Sequence, residues 1–210
     1  LPGKSVINSI NLEDGEERFE AICPLVRRYG GALIVGCIDE EGMATTRERK
    51  LAVARRSYEL LTGRYDIPPR DIIFDALVFP VGTGDEEYVG SAEETIEGLR
   101  AIKEEFPRTK SVLGVSNVSF GLPTAGREVL NSVFLYHCTK AGLDLAIVNT
   151  EKLERYASIP EAERALAEDL MYFRGDEPLE RFVAHFRGRE GRKKTEHVFA
   201  DLSLEERLAA

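Results

Sequence analysis

Five short apolar runs, each followed by a stretch with helical spacing, constrain the fold of this chain more than any other feature. The runs lie at Val6–Leu12, Ala32–Ile38, Asp71–Phe79, Ser111–Val115 and Leu143–Val148. Apolar residues at successive positions, not alternate ones, mark strands expected to be covered on both faces. Strand and helix in strict alternation mark parallel βαβ units, so the expected fold class is α/β. The helical stretches carry their own signals. Phe19, Ile22, Val26 and Tyr29 share one helix face, and Gly30-Gly31 ends it. Thr45 with Glu48, and Ser91 with Glu94, read as capping boxes. Gly63, Pro107 and Gly142 read as stops.

The alternation ends after Asn149. Pro160–Phe173 and Pro178–Phe186 are expected to form two further helices. Arg187–Lys194 (RGREGRKK) is basic and aperiodic, a linker or, alternatively, a short nucleic-acid patch. A helix from Ser203 is expected to open a following helical domain. The expected division is thus 1–188 for the first domain, 189–200 for a linker and 201–210 for the start of the next. Because the chain opens at Leu1 directly into a strand-like run, it reads as cut from something longer.

Composition removes several classes of function. A net charge of −9 leaves no basic footprint, which argues against a dedicated nucleic-acid binder. No apolar run reaches the length of a membrane span, and none reads as a signal peptide. Cys23, Cys37 and Cys138 are odd in number and lack metal spacing. They are expected to be reduced thiols, buried or half buried, in a cytoplasmic protein. Gly82-Thr83-Gly84 follows a strand but lacks the rest of a dinucleotide fingerprint, and no P-loop or nucleophile elbow is present. His137, among Phe134, Tyr136 and Cys138, is expected to be packed rather than catalytic.

Polar residues in or at the ends of the apolar runs are the candidates for chemistry. Asn8, Asp75 and Asn117 are three, and Asp39 at a strand end is a fourth. Asp75 is the most informative. A carboxylate among Ile72, Ile73, Phe74, Leu77, Val78 and Phe79 is costly to bury unless something pairs with it. No Lys or Arg lies in that strand, so the partner is either an Arg from a helix or a ligand. Asn117 stands where ligands meet α/β sheets, at the C-terminal end of a strand. Its amide either binds a polar ligand or caps the following turn. Asp39 serves equally well as a helix cap. Arg127 stands at a helix start, where the dipole disfavours it, a weak pointer to an anionic ligand.

Five segments together resemble a known family. VINSIN (Val6–Asn11), DEEGMATTRERK (Asp39–Lys50), FDALVFPVGTG (Phe74–Gly84), GVSNVSFGLP (Gly114–Pro123) and FLYHCTKAGLDLAIVN (Phe134–Asn149) are similar, in order, to the folate-binding domain of cobalamin-dependent methionine synthase. The resemblance implies a TIM-type (β/α)8 pterin-binding barrel. This chain would carry about five of its βα units, strands four to eight, plus C-terminal helices. An open five-strand sheet of that kind leaves two exposed edges and an uncovered interior.

The implied function is a methyltransferase that binds 5-methyltetrahydrofolate and gives its methyl group to cob(I)alamin. The cobalamin would be held by another module of the same polypeptide, with zinc outside this segment. Asn8 and Asp75 are implied to hydrogen-bond the pyrimidine edge of the pterin, and Asn117 to sit at N5. Asp39 is implied to line the same mouth, and Arg127 to add polar contacts. The loops Gly84–Tyr88 and Leu122–Gly126 are candidates for contact with the cobalamin module. The implied partners are the folate and that module, with neither nucleic acid nor membrane. Two alternatives remain: a methyltransferase acting on a corrinoid iron–sulfur protein, which shares the SNVS motif, and an inactive scaffold fragment of the barrel.

Overall fold

Neighbouring side chains along the central strands face two different layers, and that division places the site. The computed structural model describes residues 3–189 and 191. Five parallel strands form one curled sheet: β1 (Val6–Ile10), β2 (Ala32–Gly36), β5 (Ile72–Asp75), β6 (Lys110–Gly114) and β7 (Leu145–Ile147), adjacent in that order. Between β2 and β5 a small antiparallel hairpin, β3 (Ile38–Asp39) and β4 (Gly42–Met43), turns back over the strand ends. The connecting helices are α1 (Glu17–Tyr29), α2 (Arg47–Glu59), α3 (Ser91–Glu105) and α4 (Thr124–Lys140). Two more, α5 (Glu161–Met171) and α6 (Pro178–Phe186), follow β7.

The parallel register pairs Leu33 with Ile72 and Ile34 with Ile73, and sets Phe74 beside Ser111 and Asp75 beside Val112. Leu33, Val35, Ile72, Phe74 and Leu113 therefore point to the helices and join the main core. Ala32, Ile34, Ile73 and Val112 point the other way and form a small separate cluster. This is the inner face of a half-barrel. The expectation that both faces are covered holds on the helix side alone. On β7, Leu145 is 47% and Ile147 56% exposed. Of the run LDLAIV, Leu143 and Val148 pack against the main core, while Leu145 and Ile147 stay open on the strand itself.

Several local readings also change. The cap of α2 is Thr46, not Thr45, with its side chain accepting from the Arg49 N–H. The last turn of that helix widens into a π-type turn over Leu60–Arg64. Helix α3 starts from Gly90 in the left-handed region, and Glu94 turns to Arg47 on α2 instead of closing a box with Ser91. Asp144 secures the N-terminal ends of β6 and β7, accepting from the Ser111 N–H at 2.9 Å and from Lys103 and Lys110.

Helices α5 and α6 belong to the same core, through Ala167, Leu170, Met171, Phe182 and Phe186. Gly126 on α4 makes this possible: a Cβ there would lie 2.7 Å from the Phe182 ring. Most of the expected linker, and all of the expected helix from Ser203, lie outside the described residues. Cys23, Cys37 and Cys138 are buried free thiols. No described helix is long and apolar enough to cross a membrane.

Candidate functional site

Asp75 ends β5 on the inner face, continuing the Ile73 side of the strand. The next residues turn sharply, with Leu77 at φ 62°. That turn brings the Leu77 N–H onto Asp75 Oδ1 at 2.9 Å. No Arg or Lys forms an ion pair with Asp75 among the described residues. The helix-borne arginine that the sequence left open is therefore not found there. Burial pushes the Asp75 carboxyl above its usual value, against the pull of the Leu77 N–H and the charge of Lys50.

Asn117 follows β6 in a tight 3-10 turn, Val115–Ser119. Its main-chain carbonyl accepts from Phe120, but its side chain is exposed and meets no hydrogen-bond partner among the described residues. Gly114 makes room for it, since a Cβ at Gly114 would sit 3.0 Å from Asn117 Nδ2. Asn8 lies in β1 where the register with β2 shifts between Ile7 and Ile10. Its side chain, too, is exposed and without a partner among the described residues.

These three residues line one cleft of about 570 Å³ at the C-terminal end of the sheet. Ile34 and Val112 form its apolar floor, and Tyr88, Phe120 and Ile147 stand around it. A carboxylate and two carboxamides over an apolar floor can bind a flat heterocycle edge-on. The carboxylate matches two adjacent donors, and each amide supplies both a donor and an acceptor.

Two expected site residues lie elsewhere. Asp39 sits in the β3–β4 hairpin, where it accepts from Arg49 and from the Glu41 N–H, and it is not among the residues lining the cleft. The hairpin turns it outward to α2, which the sequence alone did not disclose. Arg127 lines no part of the cleft either. Its Nε donates to Ser119 Oγ at 3.1 Å, and Ser119 Oγ donates to Ser116 O, so Arg127 braces the turn that carries Asn117. His137 is packed, between Glu168 and Tyr172.

One residue escaped sequence reasoning altogether. Lys50 is fully buried, and its Nζ donates to Ala44 O at 2.9 Å and to Ala76 O at 2.6 Å. The signal was present: Lys50, Val53, Ala54 and Ser57 form the buried stripe of α2 at helical spacing.

The family model described as "Pterin binding enzyme" matches residues 2–149. The chain belongs to the pterin-binding enzyme family. It is 42% identical to the methionine synthase of Mycobacterium tuberculosis (strain ATCC 25618 / H37Rv), and 41% identical to that of Mycobacterium leprae (strain TN). Both alignments cover all of this chain and 18% of the relative, so the chain spans about a fifth of the length of these curated relatives. The matched region ends at the last strand, before α5 and α6, and contains Asn8, Asp75 and Asn117. A half-barrel sheet within a pterin-binding family accords with part of a TIM-type barrel.

Proposed function

We propose that this chain holds 5-methyltetrahydrofolate in the Asn8–Asp75–Asn117 cleft and that, within a longer protein, the methyl group passes from there to cobalamin borne by another module. One observation carries the reading: three parallel strands bring a half-buried carboxylate and two unpartnered amides to a single apolar-floored cleft. Membership of the pterin-binding family and the likeness to two methionine synthases supply the ligand class. In this reading the five strands are strands four to eight of a barrel, and the outer edges of β1 and β7 are where its remaining strands join.

The pterin presents an amino group and an N3–H side by side. Asp75 accepts both, which gives its buried charge the partners that the protein withholds. Asn8 adds a contact on the same edge. Asn117 then stands at N5, which carries the methyl. An amine nitrogen leaves readily once protonated, so catalysis favours N5–H in the transition state. The Asn117 carbonyl accepts from N5–H, and its NH₂ donates to the lone pair of the product, so one side chain serves both states. It supplies no proton itself. Cobalamin, when bound in its own module, provides the cobalt that takes the methyl. Met43 and Phe120, 51% and 64% exposed, leave the mouth open to a partner of that size.

Calorimetric titration of the chain with 5-methyltetrahydrofolate tests binding. Saturable one-site binding that is lost in Asp75→Ala is expected. A folded chain that takes up no heat with this ligand is instead a scaffold fragment. Methyl transfer to free cobalamin, compared with transfer to a corrinoid iron–sulfur protein, distinguishes the two acceptors.

A further inference from the structure

The Asp75 turn is held from behind by a charge that never reaches the cleft. Lys50 extends from α2 across the C-terminal end of the sheet. Its ammonium ties the chain after β4, at Ala44 O, to the chain after β5, at Ala76 O. Ala76 lies between Asp75 and the positive-φ Leu77, so the bond falls within the turn that aims the carboxylate. Thr95 Oγ on α3 donates to Leu77 O at 2.9 Å and fixes the far side of the same turn. The ammonium also lies 4.9 Å from the centre of the Phe79 ring. The helix packing is cut to fit the stalk: a Cβ at Gly98 would come within 2.7 Å of Lys50 Cδ. A buried lysine with two main-chain acceptors, a glycine notch and, among the described residues, no carboxylate bonded to it is more than a core filler.

We propose that Lys50 is a positioning residue for pterin binding, which fixes the Asp75 turn through Ala76 and keeps the Asp75 carboxylate ionised inside the cleft. The first half stands on geometry alone. The second rests on the folate reading above for its consequence, but not for its test. The titratable groups around this pair come from three other parts of the chain. Cys37, after β2, is a neutral thiol pushed up to about 12 by burial. Glu94 on α3 is already bonded to Arg47 on α2. Tyr88, in the loop before α3, lines the cleft. Lys50 is thus the cation set against the Asp75 charge, and burial, opposed by Cys37, Asp75 and Glu94, lowers its own value to about 8. Between pH 4.5 and 7 it therefore carries its charge.

The experiment uses the full chain and Lys50→Met, which keeps an unbranched stalk one atom shorter and carries no charge. The side-chain carboxyl carbon of Asp75 is followed by ¹³C NMR against pH, its signal assigned by loss in Asp75→Asn. The expected result is a midpoint raised by roughly one pH unit, as for removal of a nearby opposite charge. In parallel, the affinity for 5-methyltetrahydrofolate is measured from pH 4.5 to 7, and the acid-side loss of binding is expected to move up by the same amount. Loss of a lysine that merely stabilises the fold lowers the melting temperature and leaves both midpoints in place; that result overturns the proposal. If Lys50→Met does not fold, Gly98→Ala takes its place, since it displaces the stalk while favouring the helix. An Asp75 midpoint that stays put in a folded Gly98→Ala chain likewise overturns it. Should the unaltered chain bind no folate at any pH, the ligand reading fails, and the NMR midpoints still decide the role of Lys50.

Discussion

In the proposed site, Asp75 and Asn117 divide the work at the scale of single residues. Asp75 accepts a single N–H from its own turn, which leaves most of its acceptor capacity to the cleft. Asp75→Asn keeps the shape but turns one acceptor into a donor, and calorimetry should show folate binding weakened by about 1.5–3 kcal/mol. The same residue sets a pH dependence. Burial raises its value above the ordinary carboxylate, while in the proposed complex the pterin donors would favour the charged form. Affinity is therefore complete above the raised value and falls as pH drops through it, at a higher pH than for an exposed aspartate. An affinity–pH profile that is flat from pH 7 down to 4 would contradict this. Asn117→Ala should act on rate more than affinity, lowering methyl transfer by about a hundredfold in a protein that contains the complete barrel, measured by single-turnover kinetics.

At the scale of elements, the loops above the sheet depend on close approaches that tolerate no added carbon. A Cβ on Gly82 would stand 2.9 Å from Phe120 O and closer still to the Leu122 side chain. Gly82→Ala should push the 120–122 segment away from the strand ends and disturb Asn117 next to it. Loss of folate affinity with little change in far-UV circular dichroism is the expected readout. The helices behind the sheet carry stability instead. Phe182 on α6 is fully buried against α4, and its neighbour Phe186 lies 4.7 Å away between ring centres. Phe182→Ala should cost about 3–5 kcal/mol in urea unfolding.

The whole molecule is an open, curled parallel sheet with helices on one side. Its outermost strands, β1 and β7, each lack a neighbour on one edge among the described residues, and β7 exposes Leu145 and Ile147. Unpaired apolar edges invite association. Sedimentation should detect self-association of the chain that grows with concentration, and Leu145→Lys should reduce it. Equal behaviour of the two proteins would show that the β7 edge is not the contact.

The five strands of the parallel sheet and the helices between them were legible in the sequence, because apolar period and Gly/Pro stops are local properties; the β3–β4 hairpin was not. Legible too was the cost of burying Asp75, a carboxylate within an apolar run that has no ion-pair partner among the described residues. What stayed hidden were relations between segments far apart in the chain. Asp39 faces Arg49 because a two-strand hairpin turns it there, and Arg127 braces Ser119 because α4 packs behind the 115–119 turn. Lys50 reads as one more surface charge in RERK until α2 lies on the sheet and carries it to the Ala76 carbonyl. Ion pairs and buried hydrogen bonds act over 3 Å in space but tens of residues in sequence. The sequence by itself determined the alternation of parallel strand and helix and the polar residues at the strand ends. Which of them face the cleft together, and what holds them there, was decided by the packing of helices on the sheet.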